Sequence, residues 1–326
     1  MKAAQLVGYH EFEVVDVPCP RPQEGECLIQ LQVVSVCGSD TRHGYRPKLP
    51  QSSYPLQPGF PGHECAGVVV ESRAPGVSVG QRVVVHPEGS AGMAEYVVAR
   101  PTRFAVVPDT GDLGTWLMVE PPATVLHACR QIGSVLSKRV AIVGQGAVGL
   151  CWTQFMSRLG AAQIVVSDLD ENRRQRAWQF GATDVIDASA RSFEVDAEGL
   201  TNGELFDVVI DAAGETDTAA LAPRLARWGG TVVYFGIPEN DEILVDFRTL
   251  RDRELRTICT APGRGVAVGG IIADMVELVK RGWFDPEPLI THRLPFGLIG
   301  EAFRMYDSRE DAVLKVLLMF AEGEST

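Results

Sequence analysis

The chain has 326 residues, 45% of them hydrophobic and 22% charged, which gives room for two domains of ordinary size around substantial cores. Its 42 acidic residues against 30 basic ones leave a net charge of −12, which argues against nucleic acid or an anionic membrane surface as the main partner. The seven cysteines, at 19, 27, 37, 65, 129, 151 and 259, form no C-x-x-C pair and read as reduced cytoplasmic thiols, and no signal peptide or bilayer-length apolar run is expected.

Residues 1 to about 118 predict an all-β region. Short β-rich runs at 2–7, 13–17, 26–36, 66–71, 82–85, 94–98 and 104–107 are punctuated by Gly and Pro, which suggests a barrel or sandwich. One helix is predicted after Cys37, where Gly38-Ser39-Asp40-Thr41-Arg42-His43 offers a capping start. Near Glu120 the texture changes. Pro121 and Pro122 open a helix through Arg130, and strands then alternate with helices to about residue 262, the pattern of a parallel doubly wound sheet. Beyond 263 the pattern predicts helices over 270–280 and 295–308 and a strand over 313–320, a tail expected to return to the first region and complete it.

The second region opens on Val140-Ala141-Ile142-Val143, a buried strand, followed by Gly144, Gly146 and Gly149 at G-x-G-x-x-G spacing. Gly144 takes the turn, Gly146 lets a pyrophosphate approach the backbone, and Gly149 permits close helix–strand packing. Ala147 and Val148 start the helix whose free N–H groups face that pyrophosphate. The next apolar run, Ile164-Val165-Val166, ends at Asp168, 19 residues after Gly149. A carboxylate there accepts from a ribose 2′-hydroxyl and repels a 2′-phosphate, which favours NAD. Arg173 and Arg174 keep NADP as the lesser alternative.

Cys37, His63 and Glu64 in the first region and Glu120 at the start of the second carry the chemistry. Thiolate, imidazole and carboxylate are zinc ligands, and three protein ligands with an open fourth position mark a catalytic zinc. As a Lewis acid, zinc acidifies an alcohol so that hydride can leave toward nicotinamide. Taken singly, Ser39 and Asp40 are also good helix caps and Glu120 a good helix-start residue.

Cys37-Gly38-Ser39-Asp40, Gly62-His63-Glu64-Cys65-Ala66-Gly67, Val119-Glu120-Pro121, the glycine motif, Gly181-Ala182-Thr183-Asp184 and Leu289-Ile290-Thr291-His292-Arg293 occur in this order. Together they resemble the zinc-containing medium-chain alcohol dehydrogenase/reductase family over almost the whole chain, with the polyol (sorbitol) and threonine dehydrogenase branch nearest. The resemblance implies an α/β two-domain fold. A GroES-like β-barrel catalytic domain (1–119) precedes a Rossmann doubly wound NAD-binding domain (120–262), residues 263–326 complete the first, and zinc lies in the cleft between them. It implies Cys37 and His63 as ligands, with the third from Glu64 or Glu120. Asp40 would fix the His63 tautomer, and Ser39 would touch the substrate hydroxyl and start a proton relay.

The chain departs from that family in three places. Many members carry a histidine five residues after the first cysteine ligand; Arg42 stands there, with His43 beside it as the candidate end of the relay. The stretch from Val85 to Tyr96 lacks the cysteines of a structural zinc lobe, so one catalytic zinc and no structural zinc are expected. A glycine expected near Ser72-Arg73-Ala74 is missing.

Arg42, Arg46 and Lys48 form a basic loop suited to a phosphate or carboxylate, and Trp116 is a candidate pocket or core residue. A small polar alcohol or its ketone (a polyol, cyclitol, amino alcohol or sugar phosphate) is the expected substrate, and a cytoplasmic homodimer or homotetramer the expected assembly. The competing readings are a zinc-free NADPH enone or quinone reductase and a non-catalytic NAD-binding protein.

Overall fold

The computed structural model describes residues 1–189, 193–238, 240, 242–261 and 267–320. Two compact units emerge, Met1–Ala123 with Gly265–Thr326, and Thr124–Arg264. The expected boundary between 262 and 263 lies outside the described residues. No helix among them is long and apolar enough to cross a membrane.

The first unit is built from strands β1 (Lys2–Gly8), β2 (Glu11–Asp16), β3 (Cys27–Ser35), β4 (Glu64–Ser72), β5 (Arg82–Val85), β6 (Tyr96–Ala99) and β7 (Phe104–Val106). β1 and β2 form an antiparallel pair of their own. The larger sheet runs β14–β15–β3–β4–β5–β7, with β6 also on β3; β14 (Ile290–Pro295) and β15 (Lys315–Met319) come from the end of the chain. The β3–β4 register slips between Leu31 and Val33, and a bulge of this kind bends its strand. One part of β3 pairs with β6 over Cys27–Gln30, and the other with β15 over Val33–Ser35. Ile29, Leu31, Val34, Val69, Val83 and Val85 share one core with Phe303, Val316 and Leu318, so the tail is part of that core.

Two helix expectations need correction. The second tail helix begins at Ile299, not Pro295, because Pro295 is extended (φ −57°, ψ 145°) at the end of β14 and a short turn, Phe296–Leu298, follows. The helix after Cys37 is only Gly38–Asp40 and runs into a wide-turned segment, Thr41–Tyr45, interrupted at Gly44 (φ 131°).

The second unit is a six-stranded parallel sheet in the order β10–β9–β8–β11–β12–β13. Its strands are β8 (Arg139–Val143), β9 (Gln163–Asp168), β10 (Asp184–Asp187), β11 (Phe206–Asp211), β12 (Ala226–Tyr234) and β13 (Arg256–Cys259). The strand order reverses direction between β8 and β11, the point at which doubly wound sheets bind ligands. Val140–Ile142 and Val209–Ile210 are fully buried, which explains why these strands read as continuous apolar runs rather than alternating ones.

The β3–β4 contact is tightest at Gly67, where an added Cβ would lie 2.0 Å from the Gln30 carbonyl oxygen and 2.8 Å from the Leu31 Cα. Gly67→Ala must push backbone away from backbone. It is expected to lower the unfolding free energy by roughly 3 kcal/mol, read as a shifted denaturation midpoint with an unchanged slope.

Candidate metal centre and cofactor cradle

Strand register gathers the metal-type residues at one end of the first unit's sheet. Ser35 of β3 pairs with Glu64 of β4, so Cys37, two residues past Ser35, stands by His63 and Glu64. Leu317 of β15 also pairs with Ser35, which brings Lys315 to the same end. Cys65 pairs with Val85, the last residue of β5, so His86 follows across from Glu64. The donor atoms of Cys37, His63 and Glu64 lie within 4.8 Å of one another.

His63 Nδ1 is 2.8 Å from Asp40 Oδ1, and Asp40 Oδ2 accepts from the Cys37 backbone N–H at 3.0 Å. A ring whose Nδ1–H donates to a buried carboxylate presents Nε2 as a lone pair, the tautomer a metal requires. Ser39 Oγ lies 3.4 Å from that Nε2. Burial disfavours charge on His63, but the Asp40 carboxylate outweighs it and, with Cys37, holds the imidazole well above its ordinary pKa. The donor set of sulfur, nitrogen and carboxylate oxygen, with the second nitrogen already committed, fits zinc.

Glu64 has a partner that sequence reasoning missed. Lys315 Nζ donates to both of its carboxylate oxygens, at 2.5 and 2.7 Å, and both side chains are 1% exposed. Burial alone would neutralise Lys315, but the negative charges of Cys37 and Glu64 hold its ammonium well above the usual range. Its one sequence signal was a lone cation inside the apolar run Val313-Leu314-Lys315-Val316-Leu317. His86 was missed too, in a stretch noted only for its absent cysteines.

Glu120 stands outside the 4.8 Å donor set; its Oε1 is 3.0 Å from His86 Nδ1. His43 is exposed on the turn before Gly44. In the basic loop, Arg46 is committed to Asp307 at 2.6 Å. Trp116 is half-buried and donates to the Thr110 carbonyl.

The second unit carries a cradle made mainly of backbone. Gly144, at φ 92°, turns the chain beside Ala213, and a Cβ on Gly149 would lie 2.0 Å from the Gly144 carbonyl oxygen. A Cβ on Gly146 would meet only Arg173 Nη1, at 3.8 Å, so it would fill space that a phosphate can use. Ala147 and Val148 begin the helix Ala147–Arg158 at this point. Asp168, at the end of β9, accepts from the backbone N–H groups of Gln145 (2.7 Å) and Asp170 (2.9 Å), and Arg173 lies 4.0 Å away. A nicotinamide dinucleotide fits this cradle: N–H donors at a helix start, no side chain in the way, and a carboxylate at the ribose end.

Comparison with known proteins points the same way. Residues 23–116 match the alcohol dehydrogenase GroES-like domain, and residues 147–281 match the zinc-binding dehydrogenase domain. A sorbitol dehydrogenase of Bacillus subtilis is 28% identical over 78% of this chain and 80% of its own length. An L-idonate 5-dehydrogenase of Vitis vinifera is 26% identical over 97% and 93%. A candidate zinc-binding dehydrogenase of Sinorhizobium meliloti, solved with NADP bound, superposes with a TM-score of 0.83 at 25% identity and 98% coverage of both chains. With GroES-like and doubly wound domains in this order and a Cys–His–Glu donor set at one sheet end, the chain belongs to the zinc-containing medium-chain alcohol dehydrogenase family.

Proposed function

We propose that this protein is a zinc-dependent, NAD-linked dehydrogenase that interconverts a secondary alcohol and its ketone, the alcohol being a polyol, cyclitol, amino alcohol or sugar phosphate. The observation that carries the reading is the Cys37–His63–Glu64 donor set with His63 locked by Asp40. The sorbitol and L-idonate dehydrogenases among its relatives support the substrate class. We assign the catalytic domain to 1–119 and 263–326, the dinucleotide domain to 120–262, and the working form to a cytoplasmic homodimer or homotetramer.

Cys37, His63 and Glu64 hold the metal in this proposal, and Glu120 is a further carboxylate within its field. Zinc supplies Lewis acidity toward an alcohol oxygen. Asp40 fixes the His63 ring, and Lys315 balances the charge of Glu64 without entering the chemistry. Ser39 Oγ takes the substrate hydroxyl proton as it gives up its own, and His43, exposed on the next turn, is the group that hands a proton to solvent. In the second unit, Gly144, Gly146, Ala147, Val148 and Gly149 seat the pyrophosphate. Asp168 accepts the ribose 2′-hydroxyl, with Arg173 alongside.

Purified without a histidine tag or chelator, the wild type is expected to hold about one zinc per chain and the folded Cys37→Ala variant close to none, measured by elemental analysis. Folded wild type without zinc would refute the reading. Asp168→Ser removes a charged acceptor, and kinetics with both cofactors should show a loss of roughly 10-fold or more in kcat/KM for NAD and a gain for NADP. An unchanged NAD:NADP ratio would rule out Asp168 as the discriminating group.

A further inference from the structure

Glu64 and Glu120 are both buried, and each has its own basic partner. Glu64 is held by Lys315 through both oxygens. Glu120, the first residue of the helix Glu120–Ile132, is held by His86 through Oε1. Resting on the zinc dehydrogenase reading above, we propose that His86 is a positioning residue that retains Glu120 outside the Cys37–His63–Glu64 donor set. Glu64 is then the third protein donor at rest, and the fourth position stays open for substrate.

His86 is itself well anchored. Its backbone N–H donates to the Arg103 carbonyl at 2.9 Å, and Arg103 Nε returns a bond to the His86 carbonyl at 3.0 Å, with Nη2 on the Pro87 carbonyl. The imidazole therefore extends from a pinned strand end, with its ring centroid 5.3 Å from that of His63. The Glu120 side chain is 3% exposed. Its Oε1 lies 3.0 Å from His86 Nδ1, and that imidazole is itself 14% exposed, so the contact is shielded from solvent. A buried anion that loses its partner seeks the nearest positive charge. With His86 gone, a metal held by Cys37, His63 and Glu64 would offer such a charge, and an added carboxylate donor would close the position that a catalytic zinc keeps open.

The test uses full-length protein loaded with cobalt, whose visible bands report coordination number. Glu120→Gln, whose amide oxygen still accepts from His86, is expected to keep the wild-type metal content and bands. His86→Ala is expected to show the weaker bands of a higher coordination number and roughly 10-fold slower metal removal by a chelator. The double variant His86→Ala/Glu120→Gln should return both readings to wild type, which a general loosening of the pocket would not do. His86→Asn, which keeps a side-chain N–H near the Nδ1 position, should match wild type and covers the case in which His86→Ala fails to fold. Altered bands or lost metal in Glu120→Gln alone would make Glu120 a resting ligand and overturn the proposal. So would an unchanged spectrum in His86→Ala, or a double variant that fails to recover. Folded wild type that takes up neither zinc nor cobalt would instead defeat the underlying zinc reading.

Discussion

A carboxylate and an ammonium, both almost fully enclosed, face each other at one end of the first unit's sheet, and that pairing constrains everything around it. Neither Glu64 nor Lys315 has water to fall back on. Removing one partner of such a pair costs on the order of 3–5 kcal/mol, because the other is left as an uncompensated buried charge. The pair therefore ties sheet register to site chemistry. Sliding β15 by one residue along β3 would turn Lys315 to the opposite face and leave Glu64 without its cation.

The two units build their sites by different means. In the first, side chains do the work, and each polar group is held by another: Asp40 by a backbone N–H, His63 by Asp40, Glu64 by Lys315, Glu120 by His86. In the second, the backbone does it, through what glycines leave out and through N–H groups at a helix start. Even Asp168 is oriented by two backbone donors, so its carboxylate is set before any ligand arrives. A site of the first kind is sensitive to charge changes, one of the second to added volume.

This division explains what could be read from the sequence. The glycine cradle was legible because its logic is local: a strand, a turn, a helix start and an acid at the next strand end all lie within 30 consecutive residues. Cys37, His63, Glu64 and Glu120 were legible as residue types of the right chemistry, reinforced by family resemblance. That Glu64 and Glu120 have different partners was not, because the partners are chosen by sheet register. Lys315 is 251 positions from Glu64, and His86 reaches its place only because β5 pairs with β4. The tail helix was placed too early because Pro295 suits both a helix start and a strand end, and pairing with Met319 decides for the strand.

The bond between Glu64 and Lys315 spans 251 residues, and the whole second unit lies inside that loop. The first unit's sheet is therefore a structure of high contact order, completed only after the second unit's residues have been synthesised. Until β15 arrives, Glu64 has no Lys315 to balance its charge. Residues 1–123 expressed alone therefore lack both Lys315 and the strand that carries it, and leave the Glu64 end of the sheet without its cation.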